Sequence, residues 1–229
     1  MAEPKVRLHV DQPLGPGQAV ALDEGQANYL FAVMRLPVGA PVLLFNGRDG
    51  EWLAEVAEAG KRRGILRCIA QLRELEMPPD LWLLFVPIRK ERTAFLVEKA
   101  VELGVRRLVP VSSRFMNAEK LRVEKERAHA VEAAEQCGAT YVPEVAELQP
   151  LEKLLADWPA ERRLFWADEA RAGRTAWPDV GPGPAAILIG PEGGFSEAEK
   201  ARLAALPFVT PVALGPRILR AETAALAAL

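Results

Sequence analysis

The chain has 229 residues, a formal net charge of −2, 50% apolar residues and 26% charged residues. This balance is typical of a globular protein of one or two domains and excludes a disordered or fibrous chain. No apolar run approaches the ~20 residues that span a bilayer. The polar N-terminus lacks a signal-peptide core, so we expect a cytoplasmic protein without a membrane partner.

Residues 1–73 have the pattern of short strands separated by turns that contain Gly and Pro. No catalytic cluster stands out within them. Short strands separated by Gly- and Pro-containing turns favour a small β-barrel. The predicted strands are 6–10, 18–22, 41–45, 51–56 and 64–70, with one short helix at 26–34.

Residues 74–80 contain two prolines among charged residues and are predicted to be a linker. The pattern of predicted elements changes after this segment. Strands and helices then alternate, which predicts an α/β domain at 74–229 with a mostly parallel sheet covered by helices. The predicted strands are 81–86, 108–111, 163–167, 185–189 and 209–214, with a short extended segment at 141–145. The predicted helices are 92–103, 118–137, 151–158, 197–206 and 218–229.

The most informative stretch of the α/β part begins at the apolar run Ala185–Ile189 and enters Gly190-Pro191-Glu192-Gly193-Gly194. Ser196 and Glu199 have the spacing of a capping box, so a helix begins directly after the turn. The glycines allow positive φ and close approach of another molecule to the backbone. Such a turn is either a ligand-binding lip at a strand end or an ordinary strand-to-helix connection.

A second turn, Leu214-Gly215-Pro216, repeats this design at the end of the last predicted strand. Two Gly-Pro turns at one edge of a sheet can enclose a flat, partly apolar ligand whose polar edge is read by peptide groups. Neither turn matches a dinucleotide fingerprint or a phosphate loop. The ligand therefore need not carry a diphosphate.

The histidines, the cysteines and the distribution of charge limit the kinds of active site and partner that the chain can have. The only histidines are His9 and His129, which disfavours a His-based metal site or a Ser/His/Asp triad. Cys68 and Cys137 lack metal-ligand spacing, so we expect core cysteines in a reducing compartment and no bound metal. Residues 87–127 hold 11 Lys/Arg against 6 Glu, which suits either a polyanionic partner or solvated helix faces.

The two turns also carry a family resemblance. The segments Ile189–Ser196 and Leu214–Ala224 closely resemble those of the small-subunit (16S) ribosomal RNA (uracil-N3) methyltransferases, which belong to the SPOUT superfamily of knotted methyltransferases. Weaker likeness at Phe31–Arg35, Lys99–Val105 and Ala134–Cys137 extends the resemblance to the whole chain.

This resemblance implies a PUA-like RNA-binding β-barrel at 1–73 and a SPOUT methyltransferase domain at 74–229 with a C-terminal trefoil knot, a rare exception to unknotted topology. It implies S-adenosylmethionine as cofactor, a homodimer with the active site near the interface, and N3-methyluridine in ribosomal RNA as product. The expected partners are ribosomal RNA or the small ribosomal subunit.

Methylation at N3 requires loss of a proton that uracil gives up only well above neutral pH, so a base or a nearby cation would help. The candidate catalytic residues are Glu222 as base, Arg220 as the cation, and Glu192 as a second base. The alternative for Arg220 and Glu222 is an ion pair that fixes the last helix. For Glu192 the alternative is a carboxylate that holds its own turn.

The remaining candidates combine the resemblance with the positions of residues at the strand ends and of basic residues in both domains. The expected cofactor-binding residues are Ala167, Ile189, Gly190, Glu192, Gly194, Leu214, Gly215, Ile218, Leu219 and Arg220. The aliphatic members could instead be plain core. The expected RNA-binding residues are Arg35, Lys61, Arg62, Arg63, Arg89, Lys90 and Arg92, each of which could instead be a solvated surface charge.

Two other functions stay open at this stage. One is a related SPOUT methyltransferase with another RNA target, such as transfer RNA or a ribose hydroxyl. The other is a catalytically silent RNA-binding factor of ribosome assembly that retains the pocket without using it. The intact glycine turns and the Arg220-Ala221-Glu222 segment favour the active enzyme.

Overall fold

The computed structural model describes residues 3–117, 121–173 and 181–229. Within it the chain forms two compact units. The first consists of Met1–Met77 together with Ala134–Val142, and the second of Pro78–Ala133 together with Pro143–Leu229. The inclusion of Ala134–Val142 in the first unit has no counterpart in the sequence prediction, and the division at residue 73 stays a prediction.

The first unit is built on one five-stranded sheet, which confirms the predicted small N-terminal β domain. Its strands are β1 (Arg7–His9), β2 (Ala19–Ala21), β3 (Pro41–Phe45), β4 (Glu51–Ala59) and β5 (Gly64–Arg73), in the order β1-β3-β4-β5-β2. β1 runs parallel to β3, and the other pairs are antiparallel. Alternating side chains of these strands, among them Val42, Leu44, Leu66 and Cys68, are buried in one core.

The helical segment of this unit differs in type from the predicted single helix at 26–34. Helix α1 (Glu24–Ala27) begins with a capping box between Asp23 and Gln26, and Asn28–Val33 then continues as a π-helix. Local propensity does not encode this wider winding, which is rare. The chain leaves the π-helix through Arg35, whose φ of 55° is positive.

The second unit is a parallel α/β sheet, as predicted. Its strands are β6 (Leu81–Phe85), β7 (Arg107–Ser112), β8 (Glu144–Val145), β9 (Gln149–Pro150), β10 (Arg163–Ala167), β11 (Ala185–Ile189) and β12 (Val209–Val212). Its helices are α2 (Lys90–Glu102), α3 (Val123–Cys137), α4 (Leu151–Ala156), α5 (Glu197–Ala205) and α6 (Ala221–Ala228). The predicted start of α3 at Ala118 falls on 118–120, which lie outside the described residues.

The strand order β12-β10-β11-β6-β7-β8, with β9 on β7, determines the position of the two Gly-Pro turns. All these pairs are parallel, so the strands end at the same edge. β10 lies between β11 and β12, so the end of β10 separates the two turns. All five residues of β11 are buried, as expected of a central parallel strand.

Two sequence predictions are wrong in detail. The last helix begins at Ala221, not at residue 218, with Arg220 as an extended N-cap at ψ 155°. Ile218 and Leu219 follow Pro216 in irregular backbone, and Ile218 is 78% exposed. Cys137 is exposed at the end of α3 and is not a core residue. An apolar pattern alone could not reveal that these side chains face outward.

Candidate functional site

The turn after β11 is a tight backbone loop that leads directly into α5. The Gly194 amide donates to Pro191 O at 2.9 Å, and Gly194 has a φ of 68°. A Cβ at Gly194 would collide with the carboxylate of Glu169. The position therefore favours glycine chiefly for its backbone angle, because the half-exposed Glu169 carboxylate can move aside.

The predicted capping box at the start of α5 is confirmed. Ser196 Oγ accepts from the Glu199 amide at 3.3 Å, and the Ser196 amide donates to Glu199 Oε2 at 2.8 Å. The Arg114 amide also donates to Glu199 at 2.8 Å. Burial disfavours the ionised form of Glu199, but the hydrogen bonds from Arg114 and Ser196 outweigh it, so the pKa of Glu199 lies below its usual value of 4.5.

The turn after β12 is tied to the loop that follows β10. The Asp168 amide donates to Val212 O at 3.0 Å, and the Gly173 amide donates to Gly215 O at 3.0 Å. Gly215 has a φ of 99°, and a Cβ built on it would meet no atom within 4 Å. This turn therefore presents open backbone at the same sheet edge as the first turn.

The two turns and the end of β10 enclose a cavity of about 750 Å³. Every residue predicted to bind the cofactor lies in its wall: Ala167, Ile189, Gly190, Glu192, Gly194, Leu214, Gly215, Ile218, Leu219 and Arg220. The structure thus brings the predicted set together around one space. Whether each residue contacts a ligand stays a prediction.

Sequence reasoning missed the segment that directly follows β10. Asp168, Glu169 and Ala172 line the same cavity, and so does Arg217. Asp168 accepts from the Ala170 amide at 3.1 Å and lies 3.4 Å from Arg171. The signal was available, because the end of a parallel strand placed between two binding turns must also face the pocket.

Two of the three candidate catalytic residues, Glu192 and Glu222, lie next to Arg92. Arg92 Nη1 donates to Glu192 Oε1 at 2.7 Å, and Arg92 Nε lies 3.7 Å from Glu222 Oε1. Glu192 and Arg220 line the cavity, whereas Glu222 is absent from its wall. The buried Oε2 atom of Glu222 has no hydrogen-bond partner among the described residues. Glu222 therefore pairs with Arg92 and not, as one alternative held, with Arg220.

The predicted RNA-binding residues fall into two places. Arg89 and Arg92 line the cavity, and Lys90 is exposed at the first position of α2. In the first unit Arg35, Lys61, Arg62 and Arg63 are exposed, and Arg62 Nε lies 3.5 Å from Glu24. Exposure is compatible with phosphate contacts and with simple solvation, so these roles stay predictions.

The described residues contain neither a candidate metal cluster nor a candidate membrane-spanning helix. Residues 3–117, 121–173 and 181–229 contain no group of three or more His, Cys, Asp or Glu side chains placed to hold a metal ion. No helix in those same ranges combines the length and the apolar character needed to cross a membrane.

Comparison with known proteins decides the family. The model of an RNA methyltransferase domain matches residues 75–229, and that of an RNA methyltransferase PUA domain matches residues 22–67. The chain belongs to the RNA methyltransferase family. The resemblance found in the two Gly-Pro turns is thereby confirmed, as is the α/β fold class of this RNA methyltransferase, whereas the trefoil knot stays a prediction.

Individual relatives of this RNA methyltransferase span nearly its whole length. The ribosomal RNA small subunit methyltransferase E of Rickettsia conorii is 26% identical over 97% of this chain and 93% of its own. The enzyme of that name from Neisseria gonorrhoeae, solved bound to S-adenosylmethionine, is 28% identical with a TM-score of 0.87, covering 97% of this chain and 94% of its own. A putative methyltransferase of Legionella pneumophila was solved with the same cofactor. It is 27% identical with a TM-score of 0.87, and the match covers 99% of this chain and 96% of its own.

Proposed function

We propose that this RNA methyltransferase transfers a methyl group from S-adenosylmethionine to N3 of a uridine in small-subunit ribosomal RNA. The observation that carries the proposal is the 750 Å³ cavity between the two Gly-Pro turns. Two relatives of nearly full length with TM-scores of 0.87 were solved with this cofactor. The target follows from the turn sequences Ile189–Ser196 and Leu214–Ala224, together with the name of the curated relatives.

The chemistry of the cavity wall suits this cofactor. Ile189, Leu214 and Leu219 offer apolar surface for the flat adenine ring, and the open backbone at Gly215 offers peptide groups to its polar edge. The carboxylates of Asp168 and Glu169 can accept hydrogen bonds from ribose hydroxyls or from the ammonium group. Arginines in the wall, including Arg217, can pair with the cofactor carboxylate.

When bound, the cofactor supplies an electrophilic methyl group on a sulfonium. Uracil N3 gives up its proton and forms the N–CH₃ bond as the CH₃–S bond breaks, with the electron pair leaving on sulfur. Glu192 is the candidate proton acceptor in the cavity wall. Arg220 lies in the same wall and is the candidate cation near the target base. Glu222, the third candidate, is absent from this wall, and its Oε1 lies 3.7 Å from Arg92 Nε.

The finer parts of the proposal concern topology and partners. β12 lies at the sheet edge, yet α6, which follows it, packs against β11 and α2. This return of the chain past β10 supports the C-terminal trefoil knot. We also propose a cytoplasmic homodimer. In it, residues 1–73 serve as the RNA-binding domain, with Arg35, Lys61, Arg62 and Arg63 as phosphate contacts, and Arg89 and Lys90 bind the same RNA from the methyltransferase domain.

Two measurements test the proposal against its alternatives. Calorimetry should detect binding of S-adenosylmethionine, whereas an assembly factor that only binds RNA should give no heat of binding. Incubation of the protein with the labelled cofactor and small subunits lacking the modification should then yield labelled N3-methyluridine. Label on a ribose hydroxyl, or transfer to transfer RNA alone, would instead favour the related methyltransferase with another target.

A further inference from the structure

A second cavity, of about 260 Å³, adjoins the first. Its wall consists of six residues from three segments: Pro87, Ile88, Arg89, Asn117, Pro191 and Glu192. Arg89, Pro191 and Glu192 also line the large cavity. The two spaces therefore meet at the turn after β11 and at the start of α2.

The apolar part of the small cavity is held firmly in place. Pro87, Ile88 and Pro191 are buried. The buried hydroxyl of Thr93 accepts from the Ile88 amide and donates to Ile88 O, both at 3.1 Å. The segment after β6 is thus fixed to the first turn of α2, which gives the cavity a preformed apolar wall.

The polar part of the wall contains groups that the folded chain leaves available. The Arg89 and Asn117 side chains make no hydrogen bond or ion pair with any of the residues that the structure describes. Glu192 is bound on one side by Arg92 at 2.7 Å, and its side chain remains 39% exposed. Two sets of free donors and one carboxylate acceptor therefore surround an apolar slot.

This combination fits one edge of one nucleobase. Uracil presents O4, N3–H and O2 in a row, which is acceptor, donor, acceptor. A guanidinium and an amide can donate to the oxygens, while a carboxylate can accept the N3 proton. Cytosine would turn an N3 lone pair toward the carboxylate and is disfavoured.

We propose that the small cavity receives the target uracil, with Asn117 and Arg89 donating to its oxygens and Glu192 facing N3. This inference rests on the proposed function, because a methyl transfer needs the donor and acceptor sites to meet at one point. Glu192 lines both cavities and Glu222 neither, so the inference selects Glu192 as the group that takes the proton. N3 first loses its proton to the carboxylate, and the electron pair left on N3 then bonds to the methyl group as the CH₃–S bond breaks and its electron pair stays on sulfur.

The test compares two substitutions of Asn117 in the full-length protein. Asn117→Ala removes the donor, and Asn117→Asp keeps the shape but places an acceptor against a uracil oxygen. We expect kcat/KM for small subunits to fall about tenfold in the alanine variant and further in the aspartate variant, with the dissociation constant for S-adenosylmethionine unchanged within about twofold. The exposed Gln18→Glu adds the same charge in the first unit and should keep the wild-type rate.

The outcomes separate this inference from the proposed function. If the wild type forms N3-methyluridine and both Asn117 variants match it, or the aspartate variant outperforms the alanine variant, the base does not bind in this cavity and the function stands. If the wild type binds the cofactor but forms no N3-methyluridine, the proposed function fails and the inference fails with it. Melting temperatures and cofactor affinity verify that each variant is folded.

Discussion

Arg92 donates a 2.7 Å hydrogen bond to Glu192, a residue 100 positions away in the chain. The pair joins the first turn of α2 to the turn after β11, and Arg92 also lies 3.7 Å from Glu222 on α6. One arginine thus holds two of the three candidate catalytic residues from two different elements. Glu192 lines both cavities, whereas Glu222 lines neither.

Replacement of each carboxylate separates the two candidate bases. Glu192→Gln should lower kcat about 10²-fold or more, because the amide cannot take the N3 proton. Glu222→Gln should keep most of the rate, because Glu222 is absent from both cavity walls. Single-turnover methylation of small subunits at saturating cofactor measures both rates.

Calorimetry with S-adenosylmethionine provides the control, since it separates a change in cofactor binding from a change in the rate of methyl transfer. A large loss of rate in Glu222→Gln with a normal rate in Glu192→Gln would reverse the assignment. The sequence alone left this choice open.

Gly194 offers a test of the turn itself. Gly194→Val should abolish cofactor binding, because a β-branched residue is strained at a φ of 68° and would change the backbone of the turn. Gly193→Ala is the matched control: a Cβ on Gly193 meets only Phe115 Cβ at an ordinary 3.5 Å. Equal cofactor affinity of Gly194→Val and the wild type would show that the turn is merely a connection.

The sequence predicted the strands of the second unit best, and the reason is physical. Ala185–Ile189 and Arg163–Ala167 form strands at the predicted residues. Their short apolar runs, bounded by turn residues, have the length and pattern of buried strands. Parallel pairing then brings the strand ends to one edge, so the pocket residues could be grouped before their positions were known.

Other features depend on contacts between residues distant in sequence and could not be predicted. The spacing of charges gives no sign that Arg92 pairs with Glu192 rather than with RNA. The helical pattern of α3 likewise does not reveal that Ala134–Cys137 belongs to the first unit. Ile218 looked helical by its apolar neighbours, but Pro216 and the extended N-cap Arg220 keep it in irregular backbone.

The capping carboxylate Glu199 should make stability depend on pH. Because its pKa is lowered in the folded protein, its contribution is fully present above its usual value of 4.5 and is lost as the pH falls through the folded value. Glu199→Ala should therefore lower the melting temperature at pH 7, and the difference from the wild type should shrink in acid. Thermal unfolding monitored by circular dichroism measures this.

Glu197→Ala is the control, because Glu197 is 91% exposed and pairs only with the neighbouring Lys200 at 3.2 Å among the described residues. A melting-temperature difference for Glu199→Ala that persists unchanged at low pH would contradict the role of its ionised form.

The buried arginine of the second unit supports the sheet from its other end. Arg162 is 6% exposed, donates to both carboxylate oxygens of Asp80 at 2.9 Å, and lies 3.8 Å from the centre of the Trp82 ring. Arg162→Ala should reduce the free energy of unfolding by about 3 kcal/mol, because it removes the hydrogen bonds to Asp80 and Ala185 O together with the packing on Trp82. Arg163→Ala, the neighbouring arginine, should cost less than about 1 kcal/mol.

Urea titration of both variants provides the comparison. Equal losses for Arg162→Ala and Arg163→Ala would show that the buried pair contributes no more than a surface charge.

The central claim is tested most directly by nucleoside mass spectrometry of small-subunit ribosomal RNA from a strain that lacks the gene. The account predicts that N3-methyluridine disappears in this strain, that restoring the gene returns it, and that the Glu192→Gln gene does not. An unchanged level of N3-methyluridine in the strain without the gene would contradict the account.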